Sequence, residues 1–275
     1  MTRAPRRTWL FVPGADEAAH RAAERSRADV LIQELEDFTP PELRFKARAL
    51  AAALYARWRS HGKVVAVRVN PMETCGRDDL AAILPAKPDI VMMSKVASPE
   101  QVIALARSAG DEVELVPNIE SAAGLVRTIE IVRAARNVSA ALMASEDMVA
   151  DLGAARTRAG DELAYCRARF LVECRAAGVE AIDCPYTFSD VRGAAADARR
   201  ARALGYRAKS LVTPAHADAV NRVLTVSPAE VAQARRVVAA FERARAAGRE
   251  RASVDGALIE VPIYAAAKRL LATLA

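Results

Sequence analysis

The sequence predicts a (β/α)8 barrel with a C-terminal helical extension. Short apolar runs of strand length alternate eight times with longer helix-forming segments, and most of the runs end on a chemically capable side chain. The chain has 275 residues and 52% hydrophobic content, which suits one large α/β domain or two small ones with a buried core. We assign residues 1–222 to the barrel and residues 223–275 to the extension.

The eight apolar runs have the length of buried parallel strands. In chain order they are Trp9–Val12, Val30–Leu35, Val64–Val69, Ile90–Met93, Val113–Val116, Ala140–Met143, Ala181–Cys184 and Ser210–Val212. The segments between them are rich in good helix formers and place apolar residues at helical spacing. These segments include Pro41–His61, Pro99–Ala109, Leu125–Ala135, Asp161–Ala177 and Asp190–Leu204.

A doubly wound parallel sheet would show the same alternation, so the polar strand ends decide between the two folds. In a barrel these ends all converge on one mouth, whereas an open sheet spreads them along an edge. An open sheet would also need a glycine-rich phosphate turn after its first strand, and Val12–Asp16 does not have that pattern. We therefore favour the barrel, with these groups expected at its mouth: Glu36–Asp37, Arg68–Asn70, Lys95, Glu120, Asp147 and Asp183.

The residues beyond the eighth run form more structure than a barrel needs. Ser227 is a good N-cap and Glu230 completes a capping box, so a helix should run from there to about Ala247. Val254–Ile259 contains an Asp-Gly turn with a short extended piece, and Pro262–Leu274 is predicted as a final helix. Because the barrel closes without these elements, we expect the extension to pack on a neighbouring subunit or to cap the mouth.

Composition and charge argue against several classes of function. The net charge of +6 comes mainly from arginines scattered among acids, and no basic block with interleaved aromatics indicates nucleic-acid binding. No apolar run has membrane-spanning length, no secretory signal is evident, and the four cysteines lack C-x-x-C spacing. The three histidines are too far apart for a zinc signature. We therefore expect a cytoplasmic protein with reduced thiols, and an anionic small-molecule substrate fits the charge.

Two neighbouring strand ends carry carboxylates. Glu120 follows the fifth run, and Asp147, preceded by Glu146, follows the sixth. A strand–helix–strand unit makes these runs parallel neighbours, so both acids should emerge at the same edge. Mg²⁺ is commonly held by one or two carboxylates with water and substrate in the remaining positions, and Mn²⁺ accepts the same oxygen ligands. Solvated strand ends, or acids at a helix N-terminus, explain the pattern about equally well.

Eight short motifs follow one another along the chain: L-F-V-P-G at Leu10–Gly14, A-D-V-L-I-Q-E-L-E-D at Ala28–Asp37, V-R-V-N at Val67–Asn70, K-V at Lys95–Val96, I-E-S at Ile119–Ser121, S-E-D-M-V-A-D-L-G at Ser145–Gly153, S-P-A-E-V at Ser227–Val231 and D-G-A-L-I at Asp255–Ile259. In this order they resemble the citrate lyase beta-subunit-like proteins of the HpcH/HpaI aldolase superfamily, over nearly the whole chain. The resemblance implies a Mg²⁺-dependent barrel lyase or a relative of one, usually a trimer or hexamer. Such enzymes cleave or form a carbon–carbon bond in citryl-, malyl- or citramalyl-thioesters.

The resemblance also implies roles for individual residues. Glu120 and Asp147 would be the metal ligands, and Arg68 would hold the carboxylate of a glyoxylate, pyruvate or oxaloacetate unit. Asp255, at the matching Asp-Gly position, would reach into the site of a neighbouring subunit as a proton donor or acceptor. The chemistry agrees, because a divalent cation polarises the oxygens of a hydroxy acid and arginine is a two-pronged donor to a carboxylate.

The remaining candidates for catalysis and substrate binding are Glu36, Asp37 and Lys95. The two acids bind metal-coordinated water, orient Arg68, or cap the helix that follows them. Lys95 either touches substrate or pairs with an acid. Structural interpretations also stay open for Arg68, as an ion pair with Glu36 or Asp37, and for Asp255, as an ordinary turn residue.

Some positions depart from the family pattern. Where the family commonly has basic residues that help to hold coenzyme A, this chain has Asp16, Ala18 and Ala22, and Ala208–His216 lacks a glycine, a histidine and a glutamine of the usual eighth-strand motif. The metal and carboxylate half of the site is intact, whereas the half that holds the thioester carrier is altered. We hypothesise family chemistry on a different carrier or on a free hydroxy acid. The same residues are compatible with a metal-dependent 2-oxo-acid aldolase, an acyl-CoA thioester hydrolase and a non-catalytic ligand-binding relative.

Overall fold

Eight parallel strands close into a barrel in their chain order, which confirms the predicted fold class. The computed structural model describes residues 6–272, and these divide into two compact units, residues 6–224 and residues 225–272. The first unit holds the barrel, and the second holds two helices and a two-stranded hairpin. Within the described range no helix has the length and apolarity to cross a bilayer, and the four cysteines are free thiols.

Each predicted apolar run overlaps one strand of the barrel. The strands are β1 Thr8–Pro13, β2 Val30–Glu34, β3 Val64–Val69, β4 Ile90–Met93, β5 Glu114–Ile119, β6 Ala140–Met143, β7 Glu180–Asp183 and β8 Ala208–Leu211. Neighbouring strands pair in parallel, and β1 closes the barrel by pairing with β8 from Thr8↔Lys209 to Leu10↔Leu211.

The helices of the first unit follow the strands. They are α1 Glu17–Arg25, α2 Arg44–Ser60, α3 Gly76–Ile83, α4 Pro99–Ala109, α5 Ala122–Val126, α6 Thr128–Arg133, α7 Ser145–Asp151, α8 Ala164–Ala177, α9 Val191–Leu204 and α10 Ala217–Leu224, with 3₁₀ turns at Pro41–Leu43, Leu84–Ala86, Asp161–Leu163 and Pro214–His216. The single helix predicted for Leu125–Ala135 is divided at Arg127. There the Thr128 hydroxyl donates to the carbonyls of Gly124 and Leu125 at 3.3 and 2.9 Å, and such local bonds compete with the helix.

The strands are apolar on both faces, because the barrel interior and the surrounding helices both bury them. Interior side chains include Phe11, Ile32, Ala66, Met92, Val116 and Leu142. Side chains that pack towards the helices include Leu10, Leu31, Val67, Val91, Leu115 and Ala141. Since successive side chains alternate along a strand, Glu34, Arg68 and Glu120 face the interior at the carboxyl ends of β2, β3 and β5.

Asp183 does not lie at the mouth, which corrects the sequence-based expectation for this residue. It is on the face of β7 opposite to the interior residue Ile182, so it points towards the helices. We call its ionic group the wall cluster: Arg167, Asp183, Asp197 and Lys209. Arg167 contacts Asp183 and Asp197 at 2.7 and 2.8 Å, and Lys209 contacts the same two carboxylates at 2.6 and 2.5 Å.

The second unit has its own small apolar core. Its helices are α11 Pro228–Ala246 and α12 Val261–Ala272, and its hairpin consists of β9 Ala252–Val254 and β10 Ala257–Ile259. The predicted capping box at Ser227 and Glu230 is present, and the Phe241 and Tyr264 rings stack at 4.6 Å between centroids. The predicted end of the last helix at Leu274 lies outside the described residues.

Candidate active site at the barrel mouth

Arg68 is the centre of a buried ionic cluster at the carboxyl ends of the strands. Its guanidinium is 2.9 Å from Glu34, 3.1 Å from Glu36 and 3.5 Å from Glu120, and it lies 4.8 Å from the centroid of the Phe11 ring. Burial alone would lower the pKa of Arg68, but the three carboxylates raise it above its ordinary value. The arginine is therefore a fixed cation.

Glu34 holds Arg68 in place, although the sequence did not single it out as a site residue. Its carboxylate accepts the Nε–H group of Arg68 at 2.9 Å and the backbone N–H groups of Glu36 and Phe38 at 2.7 and 2.6 Å. The signal was present in the sequence, since Glu34 continues the inward alternation of Val30 and Ile32. Its role is to orient the arginine.

Glu120 has the opposite character, because it is buried without hydrogen bonds. Only 3% of the residue is exposed, and neither carboxylate oxygen has a hydrogen-bond partner among the described residues. Burial raises the pKa of Glu120 to about 8; Arg68 opposes this rise, and the charges of Asp147 and Glu36 add to it. A buried carboxylate that accepts no hydrogen bond is costly, so this group is suited to a cation.

Asp147 lies in the first turn of α7, directly after β6, and is the half-buried carboxylate whose charge acts on Glu120. The neighbouring Glu146 is engaged elsewhere, since it accepts from Arg156 at 3.0 Å and from the Thr187 hydroxyl at 2.8 Å. Within residues 6–272 no three His, Cys, Asp or Glu side chains are arranged to hold a metal. Two carboxylates are sufficient for Mg²⁺, which keeps several waters.

Lys95 pairs with acids at the rim of the mouth. Its ammonium donates to Glu36 and is 3.4 Å from Asp37. Burial raises the pKa of Glu36, although Arg68 and Lys95 oppose the rise. Neither acid caps the 3₁₀ turn at Pro41–Leu43 through its side chain. The structure thus brings Glu36, Asp37, Arg68 and Lys95 together.

Lys95 also has a left-handed backbone, with φ of 55°. Such conformations are unfavourable for a residue with a Cβ atom, and they are concentrated at functional sites. Asn70, also expected at the mouth, instead donates to the Leu35 carbonyl and the Asp79 carboxylate, both at 2.8 Å. It therefore holds the loop after β3 and does not line the site.

Asp255 lies in the second unit, at the turn of the β9–β10 hairpin. Its backbone is left-handed, its side chain is largely exposed, and it is 3.4 Å from Arg236. These contacts are those of a turn residue within one chain. The role expected for it in a neighbouring site stays a prediction.

A cavity of about 320 Å³ opens beside Arg68. Much of its lining is apolar and comes from Phe11, Phe38, Leu142, Pro185 and Val212. Its charged lining consists of Arg68, Asp37, Glu146 and Asp147. The volume suits a small organic acid.

The positions at which contacts with a coenzyme A carrier were expected, Asp16, Ala18 and Ala22, lie at the start of α1 or within it. Asp16 is the N-cap of α1 and accepts from the backbone N–H groups of Ala18 and Ala19 at 2.9 and 3.0 Å. With Glu17 it places two acids on a surface cavity beside the mouth residue Phe38, where Lys46 is the cation. This arrangement supplies little positive charge for phosphate groups.

The model of the HpcH/HpaI aldolase/citrate lyase family matches residues 7–214. The chain belongs to this family. Among its relatives, a (3S)-malyl-CoA thioesterase of Cereibacter sphaeroides is 32% identical over 274 residues, which cover 98% of this chain and 94% of the relative. The citrate lyase beta subunit of Escherichia coli is 29% identical over 280 residues, with 97% and 92% coverage. The HpcH/HpaI family is thus one of enzymes, and it contains both lyase and thioesterase names.

A solved HpcH/HpaI structure resembles the whole chain. It is the CitE protein of Mycobacterium tuberculosis in complex with magnesium, acetoacetate and coenzyme A, with 27% identity and a TM-score of 0.80 over 99% of each chain. That protein binds a metal, a small oxo acid and coenzyme A on the same fold.

Proposed function

We propose that this protein is a Mg²⁺-dependent lyase that cleaves a carbon–carbon bond in a hydroxyacyl thioester of the malyl, citramalyl or citryl type and releases a 2-oxo acid. The observation that carries the proposal is Glu120, a buried carboxyl group 3.5 Å from a fixed arginine, whose two oxygens accept no hydrogen bond among the described residues. The named ligands of the M. tuberculosis relative support it, since they include magnesium, an oxo acid and coenzyme A.

Glu120 and Asp147 would hold the cation, which is Mg²⁺ or Mn²⁺. The charge at the mouth supports this, because two cations, Arg68 and Lys95, face five carboxylates: Glu34, Glu36, Asp37, Glu120 and Asp147. When bound there, a divalent cation supplies Lewis-acid polarisation of the hydroxyl and carboxylate oxygens of the substrate.

Arg68 would bind the carboxylate of the 2-oxo acid unit. Glu34 and Glu36 fix the guanidinium, and Phe11 packs against its face, so it is oriented before substrate arrives. Glu36 and Asp37 also hold Lys95 at the rim, where its ammonium would meet the entering anion.

The lining of the cavity favours an acid with one carboxylate. Among the described residues that line it, Arg68 is the one cation, and many of the others are apolar. A second carboxylate, as in oxaloacetate, would find no second cation in this lining and only the Ser145 and Thr187 hydroxyls as side-chain donors, which is less favourable. Glyoxylate and pyruvate units therefore fit better than oxaloacetate.

Cleavage leaves an enolate that must be protonated. We assign this proton transfer to Asp255 of a second copy of the chain, in a homo-oligomer that is a trimer or hexamer. The exposure of Asp255 at a hairpin turn makes it available for such a contact.

Thioester hydrolysis is the second candidate, because the C. sphaeroides relatives are named (3S)-malyl-CoA thioesterases. The same cation site would serve both reactions, since a metal-activated water could attack the thioester carbonyl in place of carbon–carbon cleavage. Chemistry on a different carrier or on a free hydroxy acid is a third candidate, which the acids at Asp16 and Glu17 favour.

One assay separates these reactions. Purified protein with Mg²⁺ is incubated with malyl-CoA and citramalyl-CoA, and 2-oxo acid and free thiol are measured separately. A lyase releases glyoxylate or pyruvate with acetyl-CoA and no free thiol, whereas a hydrolase releases free coenzyme A. Glu120→Ala should abolish either activity.

Failure on both thioesters, together with Mg²⁺-dependent binding of pyruvate or glyoxylate, would direct the search to another carrier. If neither turnover nor Mg²⁺-dependent binding of a 2-oxo acid is observed, the proposed function is wrong.

A further inference from the structure

Asn118 is an amide in the barrel interior that has no hydrogen-bond partner. Its side chain is buried, and neither Nδ2 nor Oδ1 is paired among the described residues. A buried amide without partners costs stability, and such groups are uncommon enough to need an explanation.

The surroundings of Asn118 would suit an apolar side chain. Val116, two residues earlier on β5, and Leu142, its register partner on β6, are both interior apolar residues. A leucine or methionine at position 118 would fill the same region without an unpaired group. The amide is therefore expected to serve a purpose that an apolar side chain cannot.

The next residue on this face of the chain is Glu120. Its oxygens also accept no hydrogen bond, so an amide that can donate lies on the same strand face as a carboxyl group that can accept. Asn118 and Glu120 are two residues apart at the carboxyl end of β5, so their side chains leave the same face of the strand. No hydrogen bond of normal geometry joins them.

We propose that Asn118 is a positioning residue for Glu120: when the cation is bound, its Nδ2–H group donates to one carboxylate oxygen and leaves the other directed at the cation. This inference rests on the proposed function, because it takes Glu120 as a metal ligand. Carboxylates that bind metals are usually held by such partners, and losing the partner typically weakens metal binding roughly 10–100-fold. Asn118 acts through Glu120 and does not touch substrate.

The test compares Asn118→Leu with Asn118→Gln, which keeps an amide, and with Met92→Leu, a volume-conserving change at another buried interior position. The affinity for Mg²⁺ alone and for Mn²⁺ alone is measured by calorimetry, and the thermal midpoint is measured without metal. We expect Asn118→Leu to bind metal roughly 10–100-fold more weakly. Its metal-free midpoint should be unchanged or higher, because an unpaired amide has been removed.

Asn118→Gln should recover part of the affinity, and Met92→Leu should bind metal like the wild type. Wild-type metal affinity in Asn118→Leu overturns the proposal, and so does an equal loss in Met92→Leu. If Asn118→Leu does not fold, the smaller Asn118→Ser takes its place with the same expected loss. A wild type that binds neither metal overturns the proposed function as well, whereas normal wild-type binding with an unaffected variant overturns this inference alone.

Discussion

The barrel contains two buried ionic clusters, and they differ in completeness. In the wall cluster, Arg167 and Lys209 face Asp183 and Asp197, so two cations match two carboxylates and all four residues are paired. At the mouth, two cations face five carboxylates, and Glu120, which is 3.5 Å from Arg68, accepts no hydrogen bond among the described residues. The wall cluster lies between β7–β8 and the helices α8 and α9, whereas the mouth cluster lies at the carboxyl ends of β2, β3 and β5.

The difference indicates what each cluster is for. A buried ion pair with every partner present holds elements together and needs nothing else, whereas a buried carboxylate without a partner is tolerated where a ligand completes it. The wall cluster joins α8 and α9 to β7 and β8. Under the proposed function, a cation and an anionic substrate complete the mouth.

The sharpest test of this contrast is Glu120→Gln. At neutral pH the buried carboxyl group is largely protonated without metal, so the isosteric amide should leave the free energy of unfolding of metal-free protein nearly unchanged. Turnover should fall by at least about 10³-fold, equivalent to about 4 kcal/mol in the barrier, and Mg²⁺ binding should be lost. Steady-state kinetics and urea denaturation measure the two effects.

Glu130→Gln is the matched control, because Glu130 makes an exposed contact with Arg127. It should change neither property. A Glu120→Gln variant that retains Mg²⁺ binding and turnover would remove the distinction between the two clusters.

Asp183→Asn is expected to have the reverse profile. It leaves Lys209 and Arg167 buried with one carboxylate, and breaking a buried ion pair typically costs about 3–5 kcal/mol of stability. Urea denaturation measures the loss. Asp218→Asn, which breaks an exposed pair with Arg222, should cost less than about 1 kcal/mol. Equal effects of the two substitutions would show that the wall cluster does not hold the barrel.

The smallest expected effect, at about 1.4 kcal/mol per pH unit, is a dependence on pH. Because the folded-state pKa of Glu120 is raised to about 8, the folded metal-free protein binds a proton that the unfolded chain releases near its ordinary pKa of 4.5. The stability of metal-free protein should therefore fall as pH rises between these values. Mg²⁺ affinity should rise by up to about tenfold per pH unit and level off near pH 8, since the ligand must be deprotonated.

The wall cluster should contribute no dependence of stability on pH in this range. The pKa of Asp197 is lowered and that of Lys209 is raised, although burial opposes both shifts, so their stabilisation is lost only at acid and alkaline extremes. Thermal midpoints measured from pH 5 to 9, with and without Mg²⁺, compare wild type with Glu120→Gln. A wild type without this slope, or a variant with the same slope, would contradict the assignment to Glu120.

The positions of the strands could be predicted from the sequence because apolar runs report burial on both faces. The barrel could be predicted because most of the runs end on polar side chains, and a barrel gathers such strand ends at one mouth. Glu36, Arg68, Lys95 and Glu120 do gather there. Helix boundaries were accurate where capping is local, as at Ser227.

The sequence-based predictions failed where they depended on which face of a strand a residue occupies and on which residues pair across the barrel. Asp183 was expected at the mouth, but a shift of one residue along β7 turns it towards the helices. Glu34 lies within a predicted apolar run, although its carboxylate accepts a hydrogen bond from Arg68 and orients it. The unpaired state of Glu120 and Asn118 depends on groups from several strands, so no local pattern reports it.

Gly14 connects the first turn of the barrel to this site. A Cβ atom there would lie 2.4 Å from the Glu34 carbonyl oxygen and 3.0 Å from the Thr39 hydroxyl, which accepts the Gly14 N–H group. Any side chain would displace the end of β2, where Glu34 holds Arg68. For protein engineering, Phe38 and Val212 are therefore positions where the cavity wall can be varied, whereas Gly14 must stay a glycine although it does not line the cavity.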